Sequence, residues 1–532
     1  LKRISSADGE SAYGDLAARH LKDLEYAYGQ IRRLEKERTE LEGGKRTKER
    51  DQALNSLRIA IAKQKRIRDD LEEGWAGFLN MLKEKMPAFA NLYAPQVLDV
   101  SQIQQILKEK EILIAYHVQE AKTIAFVIGK DKVNVVEINV GRANLNDPSK
   151  KNVLVETIEA VRWTFWPNAK ERRPMKDEEL FSNLHELYRQ YFQPLEPFLK
   201  ADSELIIVPD NLLNFLPLGM LVAEYKNKRP TYLIERYPIS YGYSSSLINP
   251  SLWAKREKSR SRKTSLLAVG NPYFGGKELS LIERAKQKLF GVSSAGAVGK
   301  EAFAPIPYTE DEVRAILPYF NGAKVLFGRE ATETAFKKEA QEACVIHLAT
   351  HGMVNLKNVW NSKIVFALPK DEQEEDDGFL YLYEIAYLDL DADLIVLSVC
   401  NSGRGALKVG EGVLGMSRAF FYAGARSIVA SLWWIPENEA TILLEKKFYG
   451  YLAQGMDKRK ALQAAQIDVI RTEEHMHPSY WAHAMLTGDV SPIKIEKPSR
   501  PFPMTFILPV AVVIALIFAA AYRRIKTQHA SR

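Results

Sequence analysis

Cysteine is nearly absent from this chain: Cys344 and Cys400 are the only two in 532 residues. That count excludes a disulfide framework and a zinc cluster of the Cys-x-x-Cys kind. No stripe of Lys and Arg with interleaved aromatics is present, and a net charge of +7 is small for this length, so no nucleic-acid partner is expected. Biased composition is also missing. With 46% hydrophobic and 27% charged residues the proportions are globular, which argues against wholesale disorder. Long uncharged apolar runs are absent with one exception, the nineteen positions Met504–Tyr522. The first residue is Leu1 rather than Met, which reads as a fragment or a processed product.

A chain of this length exceeds one compact core, so roughly two to four domains are expected. Residues 1–90 read as a helical hairpin of coiled-coil-like character. Leu21, Leu24, Tyr28 and Ile31 recur at helical steps, Gly43-Gly44 breaks the run, and Leu54, Leu57, Ile61, Leu71, Phe78 and Leu82 form a second stripe. Gln64 and Arg68 interrupt that stripe and Pro87 closes it. Such a hairpin serves as a packing element or as an arm for a regulatory protein partner; one hairpin does not make a repeat array.

From about residue 110 the pattern turns to short β-rich runs: Ile112–Tyr116, Thr123–Ile128, Val133–Val140 and Glu204–Pro209, with a helix over 176–199. This first α/β unit, 91–254, carries no nucleophile–base pair. The basic stretch 255–263 reads as an exposed linker. The second unit, 264–490, alternates strands (Ser265–Val269, Lys324–Phe327, Val345–Ala349, Lys363–Leu368, Leu394–Val399, Ser427–Leu432) with helices near 309–318, 331–341, 411–423, 439–453 and 457–472. That alternation predicts a mostly parallel sheet with helices on both faces. A linker, 491–503, then leads to the apolar run 504–522, long enough for one transmembrane helix, and to a basic tail, 523–532. The tail carries Arg523, Arg524, Lys526 and Arg532 against Lys494, Lys497 and Arg500 before the run. This bias leans toward a single-pass anchor with the catalytic domain on the non-cytoplasmic face.

Two strand ends carry the chemistry. One is Val345-Ile346-His347-Leu348-Ala349-Thr350-His351-Gly352; the other is Leu394-Ile395-Val396-Leu397-Ser398-Val399-Cys400-Asn401-Ser402-Gly403. Open α/β sheets bind ligands at the carboxyl ends of their strands. His351 lies about 50 residues upstream of Cys400, the His-to-Cys distance of caspases. A thiol attacks as thiolate, and a neighbouring imidazole promotes ionisation and then protonates the leaving amine. His351 is therefore the candidate general acid/base and Cys400 the candidate nucleophile. No third member is legible. Cys344, at the far end of the His strand, reads as packing. His347, an even step from His351, reads as a core histidine on the same side. His475, His477 and His483 form no metal set with carboxylates, and no metal or cofactor is expected.

These stretches resemble the CHAT family of caspase-like domains, often found beside tetratricopeptide repeats. The further matching motifs, in the family's order, are Gly410-Glu411-Gly412-Val413-Leu414-Gly415, Ala423-Gly424-Ala425-Arg426-Ser427-Ile428-Val429, Ser431-Leu432-Trp433 and His477-Pro478-Ser479-Tyr480-Trp481-Ala482. Earlier ones are Ile207-Val208-Pro209-Asp210, Leu216-Pro217-Leu218 and Tyr232-Leu233-Ile234-Glu235, so the resemblance covers about 90 to 490. It implies a caspase-like α/β catalytic domain and, before it, an inactive caspase-like unit. It also implies an oxyanion hole from the amides of Gly352 and Cys400, with Asn401, Ser402 and Gly403 shaping the site. The hairpin would be a repeat remnant. Two places depart from the family's pattern: the loop Trp433–Glu439 is longer, and Ser398 stands where some arginine-specific relatives have Asp. The function so implied is a membrane-anchored cysteine endopeptidase acting on a protein or peptide substrate. A non-enzymatic signalling scaffold with the same fold, or another Cys-dependent hydrolase or acyltransferase, stays open.

Overall fold

The computed structural model describes many positions from 23 to 42, then 47–85, 98–141, 154, 156–157, 175–227, 229–242, 264–275, 296–298, 301–353, 362–368, 376–401, 416–421, 423–433, 435 and 438–495. Thirteen strands form one sheet. They are β1 (Glu111–Val118), β2 (Thr123–Ile128), β3 (Val133–Ile138), β4 (Glu204–Val208), β5 (Ile239–Tyr241), β6 (Thr264–Pro272), β7 (Ala323–Gly328), β8 (Ala343–Met353), β9 (Lys363–Val365), β10 (Phe379–Tyr381), β11 (Leu394–Asn401), β12 (Ser427–Ser431) and β13 (Ala484–Gly488). Their order is β7-β6-β8-β11-β12-β13-β5-β4-β1-β2-β3, with β9 on β8 and β10 on β9. Pairing is parallel from β7 through β12 and from β13 through β1. It is antiparallel between β12 and β13, through β1-β2-β3, and through β8-β9-β10. The sheet is therefore mixed.

Helices α1 (Lys48–Lys85), α2 (Val100–Ile106), α3 (Asp177–Leu187), α4 (Tyr308–Ile316), α5 (Glu333–Ala340), α6 (Leu382–Tyr387), α7 (Glu439–Leu452) and α8 (Lys458–Ile470) complete the frame. The central strands carry apolar side chains on both faces because both faces are covered. On β11, Leu394 and Val396 enter the core under α4, α7 and α8, while Ile395, Leu397 and Val399 enter a second core with Phe336, Phe366 and Phe420. The alternation of a strand's side chains sorts them this way. Away from the sheet, α1 buries Leu54, Leu57 and Ile61, and Lys65 meets Glu35 at 3.0 Å, as in a helical hairpin. The hairpin's Gly43-Gly44 tip and the 255–263 linker lie outside the described residues.

A single ladder pair, Thr487 with Tyr241, joins β13 to β5, so side chains must hold that seam. Tyr232 packs edge-on to Trp481 at 4.9 Å and donates to the Met476 carbonyl at 3.1 Å. Arg459, fully buried in the first turn of α8, donates to Glu111 at 3.0 Å and to Glu204, while Lys460 reaches Glu204 at 2.7 Å. These cations hold the Glu204 carboxyl below its ordinary range against the opposing effect of burial.

One expectation is corrected. No helix among the described residues is long and apolar enough to cross a membrane. The run 504–522 and the tail 523–532 lie outside the described residues, so neither a transmembrane helix nor a single-pass anchor with its sidedness is carried forward. Hydropathy of a run is a necessary condition for spanning, and no described helix meets it.

Replacing Arg459 with Met keeps the stem but takes the buried cation from Glu111 and leaves Glu204 to Lys460 alone. The expected cost is about 3–5 kcal/mol, typical of breaking one side of a buried ion pair. It is read as a lowered urea midpoint, and Glu111→Gln added to the same chain should recover part of it.

Candidate active site

The His strand and the Cys strand are neighbours. β8 and β11 run parallel in continuous register from Val345↔Leu394 to Gly352↔Asn401, and within it His351 pairs with Cys400. Adjacent strands lie about 4.8 Å apart, so two positions remote in sequence become side-by-side at one strand edge. Past His351 the chain leaves the parallel ladder. Gly352 and Met353 pair antiparallel with Ile364 and Lys363 of β9. Gly352 is thus flanked by β9 on one side and β11 on the other. Asn401 closes the β11 ladder, and Ser402 and Gly403 lie outside the described residues.

His351 is held by a group with no side-chain signature. Its Nε2 lies 2.7 Å from the carbonyl oxygen of Ala304. A carbonyl only accepts, so Nε2 carries the hydrogen and Nδ1 keeps its lone pair. Nδ1 is buried and makes no hydrogen bond among the described residues. The ring packs against Phe274 (4.9 Å between centroids) and Phe303 (5.7 Å), part of a small apolar cluster with Ile306 and Val365. This wall removes water and lowers the His351 pKa, and the bond to Ala304 opposes the shift only in part. His351 is therefore a neutral base at neutral pH, in one tautomer. The ring is thus held by a main-chain oxygen, a partner that no residue type in the sequence signals.

The other candidates scatter. Cys344 sits at the start of β8, its carbonyl accepting from the Asp393 amide at 2.7 Å, remote from the carboxyl edge. His347 is fully buried between Glu312, at 3.0 Å, and the Tyr449 hydroxyl, at 3.1 Å. His475 packs on Tyr480, His477 caps the Pro478–Tyr480 turn through Nδ1, and His483 pairs with the Ser431 hydroxyl at 3.1 Å. Glu333, Asp376 and Glu384 converge as three carboxylates might around a cation. The Lys337 ammonium already stands among them, at 2.6, 2.9 and 2.9 Å. Burial still pushes the Glu333 carboxyl up to about 7. We read this group as an ion-pair knot that ties α5 to the β10 side of the edge.

Opening the aromatic wall should reverse the shift at His351. In a Phe303→Ala chain, the His351 pKa measured by NMR titration is expected to rise toward the ordinary value of about 6.5. An unchanged value would mean that the wall does not set it.

The CHAT domain family model matches residues 182–489. The chain is also similar to tetratricopeptide repeat protein 28 of Homo sapiens, 26% identical over 356 residues, and to that of Mus musculus, 24% identical over 356 residues. Each match covers 59% of this chain and 13% of the relative, so the chain spans a small part of those proteins. The family match takes in β8, β11 and the edge where His351 and Cys400 meet, and on that match the chain belongs to the CHAT domain family, a caspase-like peptidase family.

Proposed function

We propose that the chain is a cysteine endopeptidase that cleaves a protein or peptide substrate through Cys400 and His351. The observation that carries this reading is the register pair His351↔Cys400 at the carboxyl edge, with Nε2 of His351 engaged by Ala304 and Nδ1 left as a lone pair.

Nδ1 takes the thiol proton and the thiolate of Cys400 attacks the scissile carbonyl carbon. The Ala304 carbonyl steadies the imidazolium that results. The negative charge moves to the carbonyl oxygen, where the amides of Gly352 and Cys400 are the proposed donors. On collapse the C–N bond breaks, and the imidazolium returns its proton to the departing amine. A thioester remains on Cys400. Water, deprotonated by the same Nδ1, hydrolyses it and regenerates the thiol. Asn401, Ser402 and Gly403 shape the turn beyond the nucleophile. The helical hairpin around α1 is the proposed place for a regulatory protein partner. It is supported by the pairing of Glu35 with Lys65 and by a relative named for tetratricopeptide repeats.

Cys400→Ala should abolish cleavage of a co-expressed substrate, and persistent cleavage would remove Cys400 from the role. Labelling by a thiol-reactive peptidyl electrophile separates enzyme from scaffold: labelling of Cys400 that is lost in His351→Ala is expected of the enzyme. The pH profile has a definite sign. His351 works in its neutral form, and its pKa is lowered. Therefore kcat/KM should hold as pH falls past about 6.5 and drop only through the lowered value. An acid limb above 6.5 would contradict the burial argument.

A further inference from the structure

His351 is not the only histidine of its strand that reaches the segment 304–312. Four residues earlier, His347 places Nε2 at 3.0 Å from Oε1 of Glu312, which is 3% exposed. Its Nδ1 lies 3.1 Å from the Tyr449 hydroxyl of α7. Glu445, one turn before Tyr449, is buried beside them. Burial, and after it the neighbouring Glu312, raise its pKa well above the carboxylate range, so Glu445 is protonated. The dyad chemistry uses none of these groups.

The segment between Ala304 and Glu312 is stiff. Thr309 donates to the Ile306 carbonyl through both its amide (3.1 Å) and its hydroxyl (2.7 Å), and that hydroxyl accepts from the Asn271 amide at 2.8 Å. Helix α4 lies so close on β6 that a Cβ at Gly270 would stand 2.8 Å from the Thr309 carbonyl. Ala304 lies two residues before Ile306, which this bonding ties to the first turn of α4, and Glu312 of α4 touches His347 of β8. Val313 and Ile316 add apolar packing, which is non-directional, whereas Nε2 of His347 and Oε1 of Glu312 are a buried polar contact at 3.0 Å that falls outside hydrogen-bond geometry.

We propose that His347 is a positioning residue: its buried polar contact with Glu312 sets α4 on β8, and thereby holds the Ala304 carbonyl where it selects the tautomer of His351. The inference rests on the dyad reading. The two histidines act as two rivets between one strand and one helix entry.

The test uses the full chain and reads two quantities that ordinary packing would not move together. One is the His351 tautomer, from 15N-histidine NMR. The other is the alkylation rate of Cys400 by iodoacetamide at neutral pH, resolved from Cys344 by peptide mass spectrometry. Loss of the right tautomer costs a Ser–His–Asp triad about 10⁴ in kcat, and Glu312→Gln is expected to slow Cys400 alkylation by about ten-fold or more and to populate the Nδ1–H form. His347→Gln keeps a donor near the Nε2 position and should stay close to wild type. His347→Asn reaches only the Tyr449 side and should behave like Glu312→Gln. Tyr449→Phe, which spares the contact with Glu312, should change neither quantity. Equal effects of Gln and Asn at 347, or a Tyr449→Phe effect as large as that of Glu312→Gln, would show a packing role and overturn the proposal. Wild-type tautomer and rate in Glu312→Gln would do the same. His351→Ala separates the two readings: if it slows alkylation while Glu312→Gln does not, only this inference fails, and if it leaves the rate unchanged the dyad fails and the inference with it.

Discussion

The parallel pairing of β8 with β11 is the constraint on which the rest depends. Its continuous register from Val345↔Leu394 to Gly352↔Asn401 leaves no freedom to slide, because a slip of one residue would turn each apolar side chain to the wrong core. The pairing of His351 with Cys400 is a by-product of burying those side chains correctly. The energy that makes the site is hydrophobic and is stored along the strands, not at the edge where His351 pairs with Cys400.

What surrounds that edge tunes it. Phe274 and Phe303 exclude water from His351, and the Ala304 oxygen compensates the one ring hydrogen that must be satisfied. Beyond it, Glu312 of α4 touches His347 of β8, and the Lys337 knot holds α5 to the β10 side of the edge. Paired charges under low dielectric are directional in a way that apolar packing is not, so the Lys337 knot suits the placement of elements whose position must be exact to a fraction of an ångström. The seam at β13 and β5 repeats the device, with Arg459 reaching across to Glu111 and Glu204.

Long apolar runs were readable as strands. Leu394–Val399 and Val345–Ala349 lie inside β11 and β8, and the helical runs near 439–453 and 457–472 match α7 and α8 closely. Short elements were not legible. β5, β13 and α6 are too brief for a period to show, and their pairing is set by partners distant in the chain. Hydropathy likewise suggested a membrane helix at 504–522 that no described helix supplies. A backbone carbonyl such as that of Ala304 carries no residue-type signal, so composition and spacing could not reveal it.

The sequence by itself determined the alternation of strands and helices, the place of His351 and Cys400 at the ends of apolar strands, and their His-before-Cys order, because these follow from local periodicity and chain order. The tertiary structure alone decided that β8 and β11 are neighbours in this register, that a carbonyl from 47 residues upstream selects the His351 tautomer, and that one sheet runs through all thirteen strands. Each of those is a relation between segments far apart in the chain. Such relations arise when apolar faces find a common core, and no local pattern encodes them.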